Sequence, residues 1–171
     1  MLLRKGLLMP YRRKTWREKL QDNKKMPKVL SFDPKFPCGR ALEKRGAKPG
    51  DPVVLAPPLE VDEIMRSVPK GRLITLDGIC ERLSKRHGTK FCCTLTTGIF
   101  VMTAANAAEE DRKAGQKAVT PYWRTLKVDG ILNDKYPGGA EAQKDKLEKE
   151  GFVVARKGSR FYVEDYGEFL V

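Results

Sequence analysis

The chain has 171 residues and a formal net charge of +12 at pH 7, with 34 Lys and Arg against 22 Asp and Glu. That length suits one domain with a sizeable extension, and that charge suits a polyanionic partner. No apolar run approaches the roughly 20 residues of a membrane span. One histidine and four cysteines, with no Cys-x-x-Cys pair, argue against a structural zinc site.

The expectation is a cytoplasmic monomer with reduced thiols, no metal and no cofactor. The basic and partly apolar start, Met1 to Pro10, reads as an arm and not a signal peptide. Charge is unevenly spread: residues 1–59 carry 15 Lys and Arg against 5 Asp and Glu, residues 60–171 carry 19 against 17. Residues 1–59 therefore read as a basic, Pro/Gly-rich arm and linker, and residues 60–171 as the folded domain. Within the arm, Thr15-Trp-Arg-Glu-Lys-Leu20 has capping-box spacing and predicts a short helix. Asp33-Pro34, Phe36-Pro37, Pro49-Gly50 and Pro57-Pro58 predict linker with at most a helical turn or a short strand near Val53–Leu55.

From Glu60 the pattern becomes periodic. Val61, Ile64, Met65 and Val68 share one face of a short helix. Thr75 can cap a second helix to about His87, with Leu76, Ile79, Cys80 and Leu83 inward and Gly88 as its stop. A third helix is predicted over Thr97–Arg112 and a fourth over Glu141–Glu150, where Ala142 and Leu147 face the core. Phe152–Ala155 and Phe161–Val163 flank Arg156–Arg160 as a hairpin. The fold class expected is mainly α with small β: a winged helix-turn-helix behind a basic N-terminal extension. No internal repeat is visible.

Val68-Pro-Lys-Gly-Arg-Leu-Ile-Thr75, Pro121-Tyr-Trp-Arg124, Asp129-Gly130, Lys135-Tyr-Pro-Gly-Gly139 and Leu147-Glu-Lys-Glu-Gly151 follow one another in a telling order. Together they resemble the DNA-binding domain of O6-alkylguanine-DNA alkyltransferases over roughly residues 60–151. The family transfers an alkyl group from a flipped guanine to a cysteine in Pro-Cys-His-Arg. By that resemblance the cysteine position is Tyr122, the histidine position Trp123 and the supporting glutamate Glu150. A phenol with a pKa of about 10 is a poor nucleophile at neutral pH, and indole is no base. The catalytic set is therefore read as empty.

The likeness is to the catalytically dead, alkyltransferase-like group, which binds alkylated DNA. It implies double-stranded DNA as partner, with a repair protein as a further one. Pro121, Tyr122, Trp123, Arg124, Tyr136, Gly138 and Glu150 are the pocket candidates, and the aromatics either stack a flipped base or fill the former pocket as core. The family inserts an arginine from its recognition helix, and that position falls on Thr97 or Phe100. Asn106 is a further hydrogen-bonding candidate. Glu109-Glu-Asp111 would repel phosphates. Arg12, Arg13, Lys14 and Arg17 are expected to supply most of the DNA affinity.

Two other readings stand beside this one. The first is a repurposed scaffold binding a protein or small molecule. The second is residual methyl transfer through Cys92 or Cys93, next to a helix N-terminus. His87, beside Gly88, reads as a surface or capping residue.

Overall fold

A computed structural model describes residues 10–171. The chain is mainly helical, with three small sheets among the described residues. The opening segment expected as an arm falls largely on residues 1–9, outside them.

Helix α1 (Trp16–Leu20) has the capping box its sequence calls for. The Thr15 hydroxyl accepts from the Glu18 N–H at 3.1 Å, and the Glu18 carboxylate accepts from the Thr15 N–H at 2.8 Å. So short a helix is marginal alone. It is held by burying Leu20 and by packing Trp16 against the main core.

The expected strand near Val53–Leu55 is present, but residues 31–59 form a structured layer and not a linker. Strand β1 (Lys28–Ser31) pairs antiparallel with β2 (Pro52–Leu55), and the short helix α2 (Gly39–Glu43) crosses between them. Phe32, Cys38, Leu42, Ala47 and Val53 form a satellite core beneath that crossing. The prolines and glycines punctuate tight turns here and do not loosen the chain. The apolar residues they separate are too sparse to show a period.

Contrary to the expectation of no internal repeat, one short segment recurs. Lys35-Phe-Pro-Cys-Gly39 and Lys135-Tyr-Pro-Gly-Gly139 make the same turn into a helix. In each, an Asx side chain accepts from the N–H two residues on: Asp33 from Lys35 at 2.8 Å, Asn133 from Lys135 at 3.1 Å. In each, the final glycine N–H donates to the aromatic residue's carbonyl at 2.7 Å. Asx turns of this kind need only a short polar side chain and a compliant backbone, and both segments share the string Lys-aromatic-Pro-x-Gly, although φ is positive at Gly139 (74°) and not at Gly39.

Helix α3 (Pro58–Arg66) buries Val61, Ile64 and Met65, with Val68 just beyond its end. After the two-residue strand β3 (Ile74–Thr75), helix α4 (Leu76–His87) starts where the Thr75 hydroxyl accepts from the Gly78 N–H at 3.2 Å. It stops at Gly88, whose φ of 62° suits glycine. Strand β4 (Phe91–Cys92) pairs parallel with β2, so the layer from the first third is continuous with the remainder of the fold.

Helix α5 (Thr94–Lys113) has 20 residues and begins three residues before the expected start. It is the central element: α1, α3 and α4 all pack on it. Ala104, Ala105, Ala107 and Ala108 are buried, and their small side chains allow that close approach. Strand β5 (Thr125–Leu126) pairs parallel with β3. Helix α6 (Gly139–Lys149) carries the buried Gln143, whose side chain accepts from the Asn133 N–H at 2.7 Å and donates to the Trp123 carbonyl at 3.0 Å. The hairpin follows as β6 (Val154–Lys157) and β7 (Arg160–Val163), joined by Gly158-Ser159 with positive φ at the glycine. No helix among the described residues is long and apolar enough to cross a membrane.

Candidate nucleic-acid interface

Pro121 to Arg124 enter a 3₁₀ turn (Tyr122–Arg124) between α5 and β5. Tyr122 is 1% exposed. Its ring packs edge-on against Tyr136, with centroids 5.2 Å apart, and against Trp123 at 5.5 Å. Its hydroxyl donates to the Glu109 carboxylate at 2.9 Å. Burial, and then that bond, push the phenol above its ordinary value. Tyr122, the position the resemblance assigns to the cysteine, is thus a core residue held in its protonated form. Of the two roles open to it in sequence, Tyr122 takes the filling one.

Trp123 and Arg124 converge on Glu150. The indole N–H donates to Glu150 at 2.8 Å, Arg124 Nε and Nη2 donate at 2.9 and 2.8 Å, and Arg124 Nη1 donates to the Val68 carbonyl at 2.7 Å. Burial pushes the Glu150 carboxyl upward, but the hydrogen bonds from Arg124 and Trp123 and the guanidinium charge outweigh it. Glu150 therefore locks the turn to the end of α6 as a carboxylate. Of the other pocket candidates, Pro121 and Tyr136 are buried. Gly138 borders a shallow cleft of about 300 Å³ with Glu109, Arg112 and Lys146.

The three helix residues proposed for DNA contact are engaged elsewhere. Thr97 is buried, and its hydroxyl donates to the Cys93 carbonyl at 2.8 Å. Phe100 packs against the main core. The Asn106 side chain donates back to the Met102 carbonyl at 2.8 Å. Cys92 and Cys93 are buried as well, and His87 Nε2 lies 2.7 Å from Glu60.

The basic segment is partly neutralised within the fold. Arg12 pairs with Glu18, Lys14 with Asp22 and Arg17 with Asp111; Arg13 is exposed. Glu109, Glu110 and Asp111 lie inside the last turns of α5, where they anchor neighbouring elements. Glu110 accepts from the backbone N–H groups of Trp16 and Arg17 at 2.9 and 3.0 Å, at the positive end of α1. The phosphate repulsion expected of these carboxylates is therefore much reduced.

A different surface stands open at the other end of α5. Leu95 and Ile99 are 48% and 55% exposed. They border an apolar cleft of about 300 Å³ whose other walls include Leu76, Met102 and Tyr136. At Gly98, which also borders the cleft, a Cβ would meet only the Leu76 side chain, at an ordinary contact distance of 4.0 Å. Lys127 and Lys135 line the same cleft, and the Lys127 ammonium donates to the Asp134 carboxylate at 2.6 Å. Lys127 borders a second cleft with Arg160, and Arg160 borders a third with Lys157. Lys135, Lys127, Arg160 and Lys157 thus run from the apolar ridge of α5 to the tip of the hairpin. Sequence reasoning missed Leu95 and Ile99. Their i, i+4 spacing was a signal, but α5 is apolar on nearly every face, so periodicity could not pick out the open one.

No family model and no curated protein matches the chain. Among solved structures, the chain is similar to S. pombe Atl1, an alkyltransferase-like protein, in complex with damaged DNA containing O6-carboxymethylguanine. The match has a TM-score of 0.47 and 17% identity, over 67% of this chain and 93% of that one.

Proposed function

We propose that the protein is a non-enzymatic, alkyltransferase-like DNA-binding protein. It docks the first turns of α5 and the β6–β7 hairpin, as a wing, on duplex DNA. The observation that carries this reading is the run of Lys135, Lys127, Arg160 and Lys157 beside the exposed Leu95 and Ile99. Cations grip phosphates without regard to sequence. An apolar ridge with a cleft beside it suits the minor groove, where apolar side chains wedge between bases and a displaced base can be received. Alkyl transfer is absent, because Tyr122 is buried and protonated.

The test is a titration of fluorescent duplexes, unmodified and carrying O6-methylguanine, at several salt concentrations. Each phosphate contact contributes about 0.9 to the slope of log affinity against log salt. Neutralising Lys135, Lys157 and Arg160 together, none of which has a carboxylate partner among the described residues, is expected to flatten that slope by up to ~2.7. Neutralising Arg12 and Lys14, which already have carboxylate partners, should flatten it far less. Preference for the modified duplex is expected to fall with Leu95→Ala and Ile99→Ala, while the intact protein mass stays unchanged after incubation. Equal loss from both cation sets would return the interface to the arm, and an alkyl adduct would overturn the non-enzymatic reading.

A further inference from the structure

We propose that Cys38 and Cys93 are a modification site: a reversible disulfide that ties α2 to the first turn of α5. The two sulfurs lie 3.4 Å apart in the satellite core, between residues 55 positions apart in sequence. Both backbones are held independently. The Cys93 N–H donates to the Val54 carbonyl at 2.9 Å, continuing the β2–β4 pairing. Cys38 precedes Gly39, whose N–H donates to the Phe36 carbonyl at 2.7 Å. A Cβ on Gly39 would lie 2.1 Å from the Pro34 carbonyl oxygen, so the turn closes tightly because that atom is missing. The sulfurs therefore face each other from two fixed supports. Closing them to a bond of about 2.05 Å takes a relative movement of ~1.4 Å, within reach of side-chain rotation.

The other two cysteines, Cys80 and Cys92, also meet through a side-chain hydrogen bond, but inside the main core. Neighbouring strand residues point to opposite faces, so Cys92 enters the main core while Cys93 enters the satellite core. Threonine hydroxyls meet both sulfurs, Thr97 at 3.2 Å from Cys92 and Thr96, donating, at 3.1 Å from Cys93. Cys80 belongs to the same main core.

The oxidant is a peroxide. One thiol sulfur attacks the peroxide, the O–O bond breaks, and a sulfenic acid and one water form. The second sulfur then attacks the sulfenic sulfur, the S–O bond breaks, a second water leaves and the S–S bond forms. In all, two thiols lose two protons and two electrons, and one hydrogen peroxide becomes two waters. Either sulfur can make the first attack, and the other then makes the second. The bond would clamp the start of α5, where Leu95 stands two residues beyond Cys93.

The test uses the full-length protein, reduced, desalted, treated with hydrogen peroxide and quenched with catalase. It is then unfolded in iodoacetamide and digested without reductant. The expected result is loss of two hydrogens, two remaining alkylatable thiols and a peptide pair joining Cys38 to Cys93, all reversed by dithiothreitol. Closing so long a loop should also raise the melting temperature by several degrees. Cys38→Ser and Cys93→Ala should each abolish both the crosslink and the peroxide-dependent shift, whatever their own effect on stability. Four thiols surviving peroxide, oxygen adducts without a crosslink, or a Cys80–Cys92 crosslink would each overturn the assignment.

Discussion

Deleting residues 1–59 is expected to leave a chain that does not fold cooperatively. The deletion removes Leu20 and Leu42, each 1% exposed, Phe32 at 2%, and Val53 and Val54, both fully buried. Each such side chain contributes about 1.5–3 kcal/mol by leaving water. Together they approach the ~5–15 kcal/mol net stability of a typical domain. The deletion also leaves Glu110 and Asp111 without the α1 groups they serve, and β4 without the strand it pairs with. Thermal melts followed by circular dichroism should show a sigmoidal transition for the full chain and none for the fragment. Leu20→Ala is a milder form of the same test and should cost about 2–5 kcal/mol. A fragment melting cooperatively near the temperature of the full chain would show that the first third is an appendage after all. DNA-binding comparisons are therefore better made with point substitutions than with this truncation.

The second large effect is expected at Glu150. Its carboxylate answers both the Trp123 indole and the Arg124 guanidinium, and the Arg124 and Glu150 side chains are 13% and 9% exposed. Glu150→Ala strands a buried cation and should cost about 3–5 kcal/mol. Replacing both partners, as Arg124→Met with Glu150→Leu, removes the charge together with its counter-charge and should recover most of that loss.

The pH dependence follows from the direction of the shift. The folded carboxyl lies below its ordinary value of 4.5, so the unfolded chain takes up the proton more readily. The contribution of Glu150 is then complete above the unfolded value and is lost as pH falls through the folded one. The melting temperature of the native protein should fall more steeply below pH 4.5 than that of Glu150→Gln. Glu109 is shifted in the same direction, burial being outweighed by Arg112 and Tyr122, so part of the native slope should survive the substitution. Identical slopes in the two proteins, or a loss under about 1 kcal/mol for Glu150→Ala, would remove Glu150 from the role of clamp.

That clamp occupies a position where the family resemblance implied catalysis, and the two readings differ in what the glutamate touches. A residue that holds a base through water must have a base to hold. Here the neighbour is an indole N–H, which can only donate. Tyr122 is buried against Tyr136, and its hydroxyl is spent on Glu109.

Local signals in the sequence were sufficient for the capping box at Thr15, the apolar faces of α3 and α4, the Gly88 stop and the hairpin around Gly158. Each rests on contacts within a few residues, where backbone geometry ties side-chain identity to shape. The opening feature, a strongly basic chain, was also plain from composition. Where that charge acts was not. Arg17 is answered by Asp111, Arg12 by Glu18 and Lys127 by Asp134, while Lys135, Lys157 and Arg160, scattered through a nearly neutral region, border the clefts along one edge without such partners among the described residues. The layer around Phe32, Leu42 and Val53 and the facing sulfurs of Cys38 and Cys93 depend on pairings across tens of residues. No local period encodes such pairings. They exist because burying scattered apolar side chains together is favourable only once the chain has closed around them.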